Sequence, residues 1–170
     1  MTDTAETRTD TAENRVDTAE NRVDTAENRV GTADGGGEHP ARIASRASQS
    51  AASGKRKEEW LDLFAEDGWV EDPVGRSGFD PEGTGHHGRE AISKFYDMTI
   101  ANTDSLEFII DDSLLCGNEV VNIGRIRTAM AGAQIDAEGV FVYRVNEAGK
   151  LQSLRAFWEV DRAMKTLKKL

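Results

Sequence analysis

The feature that most constrains this chain is a change of hydrophobic period at Asn102. Beyond it, Leu106, Phe108 and Ile110 alternate with Glu107 and Asp111, the pattern of a strand with one buried face. Three more strand-like runs follow, over 120–130, 133–146 and 151–160. They are joined by Ala131-Gly132 and by the hairpin turn Asn146-Glu147-Ala148-Gly149. Strands linked by turns this short pair antiparallel, because a parallel crossover needs a dozen residues or more. With the helical segments gathered ahead of the strands, the class is α+β rather than α/β. Gly124, inside the second run, offers a place for a bend. A strongly bent antiparallel sheet folded around helices leaves a concave, mostly apolar cavity. On one face of the third run Ile135, Ala137, Gly139, Phe141 and Tyr143 grade from small to large, and Trp158 on the last run is placed to close such a pocket. Plain core packing accounts for each of these aromatics equally well.

The helical part precedes this. Residues 41–53 are rich in Ala and Ser, with Ile43 their one large apolar side chain, and predict a helix broken at Gly54. A second helix is expected to run to about Asp67, with Trp60, Leu61 and Phe64 on one side and Gly68 as its terminator. A short strand then carries Asp72 between Val70 and Val74. Pro73 restricts Asp72 to extended conformations, so its carboxylate should project from a stiff backbone beside apolar neighbours. That makes it either a candidate general base or an ordinary strand-end aspartate. Glu71 should face the other way by strand alternation. Residues 75–88 read as loop, with the pair His86-His87; two adjacent histidines without further ligands at fitted spacing are weak grounds for a metal. Arg89 to Ile100 predicts a helix with Ile92, Phe95, Tyr96 and Thr99 at helical spacing. Residues 161–170 allow a last helical turn or two.

The front of the chain is different material. Asp-Thr-Ala-Glu-Asn-Arg-Val occurs three times, at 10–16, 17–23 and 24–30, after a degenerate copy at 3–9. Val at a and Ala at d of a heptad, with Glu at e and Arg at g, is the pattern of a short oligomerising helix. An Ala/Val seam buries little, however, and Asp, Thr and Asn are poor helix formers, so disorder is the expectation. Residues 1–40, ending in a glycine-rich linker, carry ten acids against four arginines and hold −6 of the net charge of −10. The domain is therefore expected over 41–161, followed by a basic tail at 162–170. No basic stripe interleaved with aromatics marks nucleic-acid binding. The single cysteine, Cys116, rules out an intrachain disulfide. No run of 18 apolar residues marks a membrane span, and a signal-peptide core is missing; a cytoplasmic protein is the default expectation.

The stretch Leu-Phe-Ala-Glu-Asp-Gly-Trp-Val-Glu-Asp-Pro-Val-Gly at 63–75 resembles the NTF2-like superfamily, and within it the ketosteroid isomerases and their SnoaL-like relatives. Residues 89–96 and 146–158 extend the resemblance, which covers roughly 41–160. It implies an NTF2-like cone with a central apolar pocket and homodimerisation through the open sheet face. It also implies cofactor-free, metal-free proton shuttling in a hydrophobic carbonyl compound. Asp72 falls on the family's general base, and Tyr96 on a tyrosine that supports the donor network. Trp60, Val74, Phe95, Ile126, Phe141, Tyr143 and Trp158 are the implied substrate contacts. The two oxyanion donors depart from the pattern: Phe141 stands where the family has a neutral aspartate, and Ser48, or Ala47 with one gap, where it has the donor tyrosine. Tyr143 or the His86-His87 loop is left as a substitute donor. The loop 76–88 is about seven residues longer than in short ketosteroid isomerases, judged from the motif spacing, and is long enough to lid the pocket. Binding without turnover and a polyketide-cyclase type of chemistry are the other functions this pocket allows. An epoxide hydrolase needs a fuller polar constellation than these residues provide.

Overall fold

The structure is a computed structural model and describes residues 38–170; the heptad repeats lie outside the described residues. Helix α1 (Pro40–Ser53) begins at a proline, whose missing N–H is no loss in the first turn. The His39 Nδ1 accepts from the Ala41 N–H at 3.2 Å and caps that end. The helix buries Ala41, Ala44, Ser45, Ser48, Ala51 and Ala52. A face of such small side chains lets it lie close against the sheet.

Helix α2 (Lys57–Asp62) is shorter than its sequence suggests. It ends at Asp62, and the chain passes almost at once into β1 (Phe64–Glu71). The expected helix to Asp67 is therefore wrong, and Gly68 is a strand residue rather than a helix terminator. Phe64 fits either period locally, and sheet pairing decides. Phe64 stands opposite Leu151, whose N–H bonds the Leu63 carbonyl at 2.8 Å. Its ring still packs edge-on against Trp60, 4.9 Å away. Between Phe64 and Trp69 the register shifts, and there Gly68 runs close to the neighbouring strand: an added Cβ would sit 2.9 Å from the Leu151 carbonyl oxygen.

After the loop come the two-residue strand β2 (His86–His87), helix α3 (Gly88–Met98) and a 3-10 turn at Ile100–Asn102. The expected helix to Ile100 thus tightens in its last turn. The strands β3 (Ser105–Cys116), β4 (Glu119–Met130), β5 (Ala133–Val145) and β6 (Leu151–Trp158) form the antiparallel meander. The sheet order is β2-β1-β6-β5-β4-β3, and β1 joins β6 in parallel. Helices α1 and α3 lie inside the curl of this unclosed sheet. Trp60, Ile92, Phe141, Tyr143, Leu151, Val70 and Val120 form the core between them. Beyond Trp158 the chain continues as α4 (Val160–Met164) and β7 (Lys168–Lys169), and β7 pairs with Ala133 and Gln134 at the start of β5. No helix among the described residues is long and apolar enough to cross a membrane.

Gly124 and Gly139 are register partners on β4 and β5. A Cβ on Gly124 would stand 2.1 Å from the Ile109 carbonyl oxygen, and one on Gly139 2.1 Å from that of Phe157. The strand β3 bulges between Ile110 and Asp112, beside Gly124. Both glycines thus stand where the neighbouring strand leaves no room for a side chain. Gly139→Ala should destabilise the protein by about 1–3 kcal/mol, the usual cost of overpacking, measured as a lower urea midpoint with unchanged slope.

Candidate functional site

Sheet register assembles the site. Tyr143 on β5 pairs with Leu154 on β6, which pairs with Val70 on β1. One row further on, Phe141 pairs with Ala156, and continuing the β1 register by one residue beyond Glu71 brings Asp72 level with Ala156. The Val74 N–H donates to the Ala156 carbonyl at 2.8 Å and holds the segment after Asp72 against β6. Gly139 pairs with Trp158 in the next row. The inward side chains of these rows, closed by α1, α2 and α3, line an apolar cavity of about 220 Å³.

Asp72 is the ionisable carboxyl in this lining. Its Oδ1 accepts from the Trp158 Nε1–H at 2.6 Å. Burial disfavours the charged form and pushes the carboxyl up to about 6, while the Trp158 bond pulls the other way. Glu71, by contrast, faces outward and pairs with Arg155, as strand alternation requires. Asp136 also faces outward, bonded to Arg127 at 2.8 and 2.9 Å.

Five hydroxyls line the same cavity, those of Ser48, Thr99, Thr103, Thr128 and Tyr143; Thr99 and Thr103 donate theirs to the Phe95 and Ile100 carbonyls. Ser48 lies on the buried face of α1, and its Oγ accepts from the Trp60 Nε1–H at 2.9 Å. That bond occupies a lone pair and leaves the serine hydrogen to donate. Tyr143 is buried, and its hydroxyl stays protonated: burial raises it far above the ordinary phenol value, and the nearby Asp72 carboxylate adds to that rise. The polar Gln49 side chain opposes the shift; Gln49 donates to Ser45 Oγ at 3.3 Å.

Of the residues expected at the site, Asp72, Trp60, Phe95, Ile126, Phe141, Tyr143 and Trp158 come together around the cavity, with Ser48. Val74 and Tyr96 are not among the lining residues. Val74 serves β6 through its backbone. Tyr96 packs behind Trp60, ring centroids 5.5 Å apart, with its hydroxyl buried and unpaired. His86 and His87 also lie outside the lining: His87 stacks on Trp69, and His86 on the outer side of Phe95. Among the described residues, no three His, Cys, Asp or Glu side chains converge as metal ligands.

Sequence reasoning missed the rim, which includes Phe79, Met98 and Met130, and the donation from Trp158 to Asp72. Strand parity put Trp158 on the inner face. Its level opposite Asp72 depends on the parallel β1–β6 pairing, which leaves no local pattern.

A curled, unclosed sheet wrapped around N-terminal helices is the NTF2-like cone. Residues 46–154 match the SnoaL-like domain, and the chain belongs to that family. It is similar to RV0760c from Mycobacterium tuberculosis, with 32% identity over 78% of this chain and 97% of that one and a TM-score of 0.71. RV0760c is also solved in complex with estradiol-17beta-hemisuccinate. The Delta 5-3-ketosteroid isomerase from Mycobacterium sp. is 31% identical over 78% of this chain and 100% of its own, with a TM-score of 0.70. A computationally designed 17-OHP binder is 30% identical over 78% of this chain and 97% of its own, with a TM-score of 0.68. No curated protein matches the sequence.

The raised Asp72 carboxyl has a stability consequence of definite sign. The folded state holds this proton up to about pH 6, whereas the unfolded chain releases it near 3.8. The stability associated with the protonated group is full below that lower value and is lost as pH rises through about 6. Asp72→Asn should therefore stabilise the protein at pH 8, by on the order of 3 kcal/mol at most, and change little at pH 4. Urea unfolding at the two pH values measures the difference.

Proposed function

We propose that this protein is a cofactor-free isomerase of steroid delta-isomerase type, acting on a hydrophobic carbonyl compound with Asp72 as general base. The observation that carries the reading is the half-buried Asp72 carboxyl, which lines an apolar cavity and which desolvation pushes up to about 6. A base poised close to working pH is both ionised and strong enough to take a proton from carbon. In the proposed reaction Asp72 removes a proton from the carbon beside the carbonyl, leaving a dienolate. The resulting Asp72 carboxylic acid returns that proton two carbons further along, so the double bond moves into conjugation and nothing else is consumed. The Trp158 N–H holds the carboxylate in one orientation during the exchange. The dienolate oxygen needs donors, and Tyr143 and Ser48 are the cavity hydroxyls suited to supply them. The similar proteins whose names include a steroid isomerase, a steroid complex and a steroid binder support a steroid-like, polycyclic ligand.

A second reading rests on Phe141, which occupies the position where the resemblance puts an acid donor. Losing one oxyanion donor costs ~10²- to 10³-fold in rate, so the same pocket also suits a binding protein without turnover. Ultraviolet monitoring of a β,γ-unsaturated ketone separates the two. Wild type should produce the conjugated ketone, with kcat/KM falling about tenfold per pH unit below pH 6 as the base is protonated. Asp72→Asn should lower the rate by ~10²-fold or more, and Tyr143→Phe by a smaller factor, mainly in kcat. Equal rates for wild type and Asp72→Asn eliminate Asp72 as the base. Tight binding of the product ketone with no conversion by wild type establishes the binding reading.

The outer sheet face supports a homodimer. Val121 stands opposite Val142, and Ile123 opposite Val140, which in turn pairs with Phe157; Ile123 and Phe157 are exposed. Ile123→Lys should convert a dimer to a monomer in sedimentation velocity. Deleting residues 1–40 should leave the oligomeric state unchanged; a change of state would implicate the heptad repeat.

A further inference from the structure

We infer that Phe79 is a specificity-determining residue, a fixed post at the cavity rim that sets how bulky the outer end of a bound ligand can be. This rests on the cavity being the ligand site, as proposed above, and not on whether the ligand is turned over.

The lining has a buried end and an exposed one. Ser48, Phe141 and Tyr143 are fully buried, and Asp72, half-buried, lies in the row of Phe141 through Ala156. Phe79, Met98 and Met130 are 39%, 47% and 51% exposed and mark the rim. They come from three separate places: the loop after β1, the end of α3 and the end of β4. Methionine side chains are unbranched and adapt to what they meet. Phe79 is the rigid member, and its backbone is held as well. Ser77 Oγ accepts from the Phe79 and Asp80 N–H groups at 3.2 and 3.1 Å, and the Ser77 N–H donates to the Asp80 carbonyl at 2.9 Å. The two Asp80 carboxylate oxygens accept from the Gly83 and Gly85 N–H groups at 2.9 and 2.7 Å. These donors, Gly85 first, keep the Asp80 carboxyl below its usual range, so the clasp is charged at neutral pH. One residue beyond Gly85, the loop is pinned to β1 through the pairing of His86 with Val70.

The ring is therefore presented by a loop closed on itself, not by a lid that must swing. A ligand anchored by its carbonyl at the deep end brings its opposite end to this rim. A compact end packs on the Phe79 ring, and a branched end meets it. Removing the ring weakens the first and relieves the second, which makes the ratio of the two affinities the quantity to measure.

Binding to the full chain of two polycyclic enones that differ at the end remote from the carbonyl tests this. Androstenedione is the compact probe and cholestenone the branched one, each followed by quenching of tryptophan fluorescence. Phe79→Ala should shift the affinity ratio toward the branched ligand by about tenfold, the scale of one aromatic contact. Phe79→Leu should shift it less. Glu147→Gln, on the exposed turn between β5 and β6 and outside the lining, should leave the ratio where it is in wild type. A ratio unchanged within about twofold in both Phe79 variants, with both ligands bound, overturns the assignment and leaves the proposed function standing. If wild type binds neither enone, the ligand site falls and the role of Phe79 falls with it. A shifted ratio in a protein that converts no ketone keeps Phe79 as the post and removes only the isomerase reading.

Discussion

The hydrogen bond from Trp158 to Asp72 is the interaction on which the site depends. It joins the end of β6 to the residue just beyond β1 at 2.6 Å, across the parallel pairing of these two strands. A buried carboxylate without a donor is costly, and this N–H is what keeps the charged form accessible near neutral pH. The bond in turn requires Trp158 to sit at the right level, which depends on the approach of β6 to β5 at Gly139. A side chain there would collide with the Phe157 carbonyl and crowd Trp158 itself. One residue without a side chain thus fixes an indole, and the indole fixes the Asp72 carboxylate.

The polar groups of the cavity are unevenly distributed over its walls. Phe141 fills its position with a ring, so the wall opposite Asp72 across Ala156 is apolar. Polarity is displaced one row along β5, to Tyr143, and onto the α1 face, to Ser48. Trp60 spends its N–H on Ser48, which keeps a buried indole satisfied and leaves the serine hydrogen free. Tyr96, two turns along α3, is thereby separated from the cavity: the Trp60 ring lies in its path, and its own hydroxyl stays unpaired.

Much of this was legible in the sequence, for reasons that differ by element. The meander from β3 to β6 could be read because alternation and turn residues are local signals that agree with the global pairing. Asp72 could be read because Pro73 and two valines constrain it without reference to the rest of the chain. The end of α2 could not, since Phe64 satisfies both a helical and a strand period and only its pairing with Leu151 chooses. The rim was invisible for the same reason: Phe79, Met98 and Met130 belong to separate segments brought together by the curl. Val74 looked like a pocket residue from its position beside the base, but its N–H is needed by Ala156, and its side chain follows from that.

The environment of Asp72 sets two opposed demands. Burial raises its proton affinity, which strengthens it as a base, and the same burial reduces the fraction ionised at a given pH. Near 6 these balance for neutral conditions. A carboxylate at its ordinary value near 3.8 would be fully ionised but a weaker acceptor of a proton from carbon, and one raised much higher would be protonated at rest. The cavity tunes this with a single neutral donor rather than a cation. A lysine or arginine in place of Trp158 would hold the charge but return the carboxyl to the acidic range. The indole N–H stabilises the anion only partly, and in the proposed reaction that partial compensation would let Asp72 both take a proton and give it back.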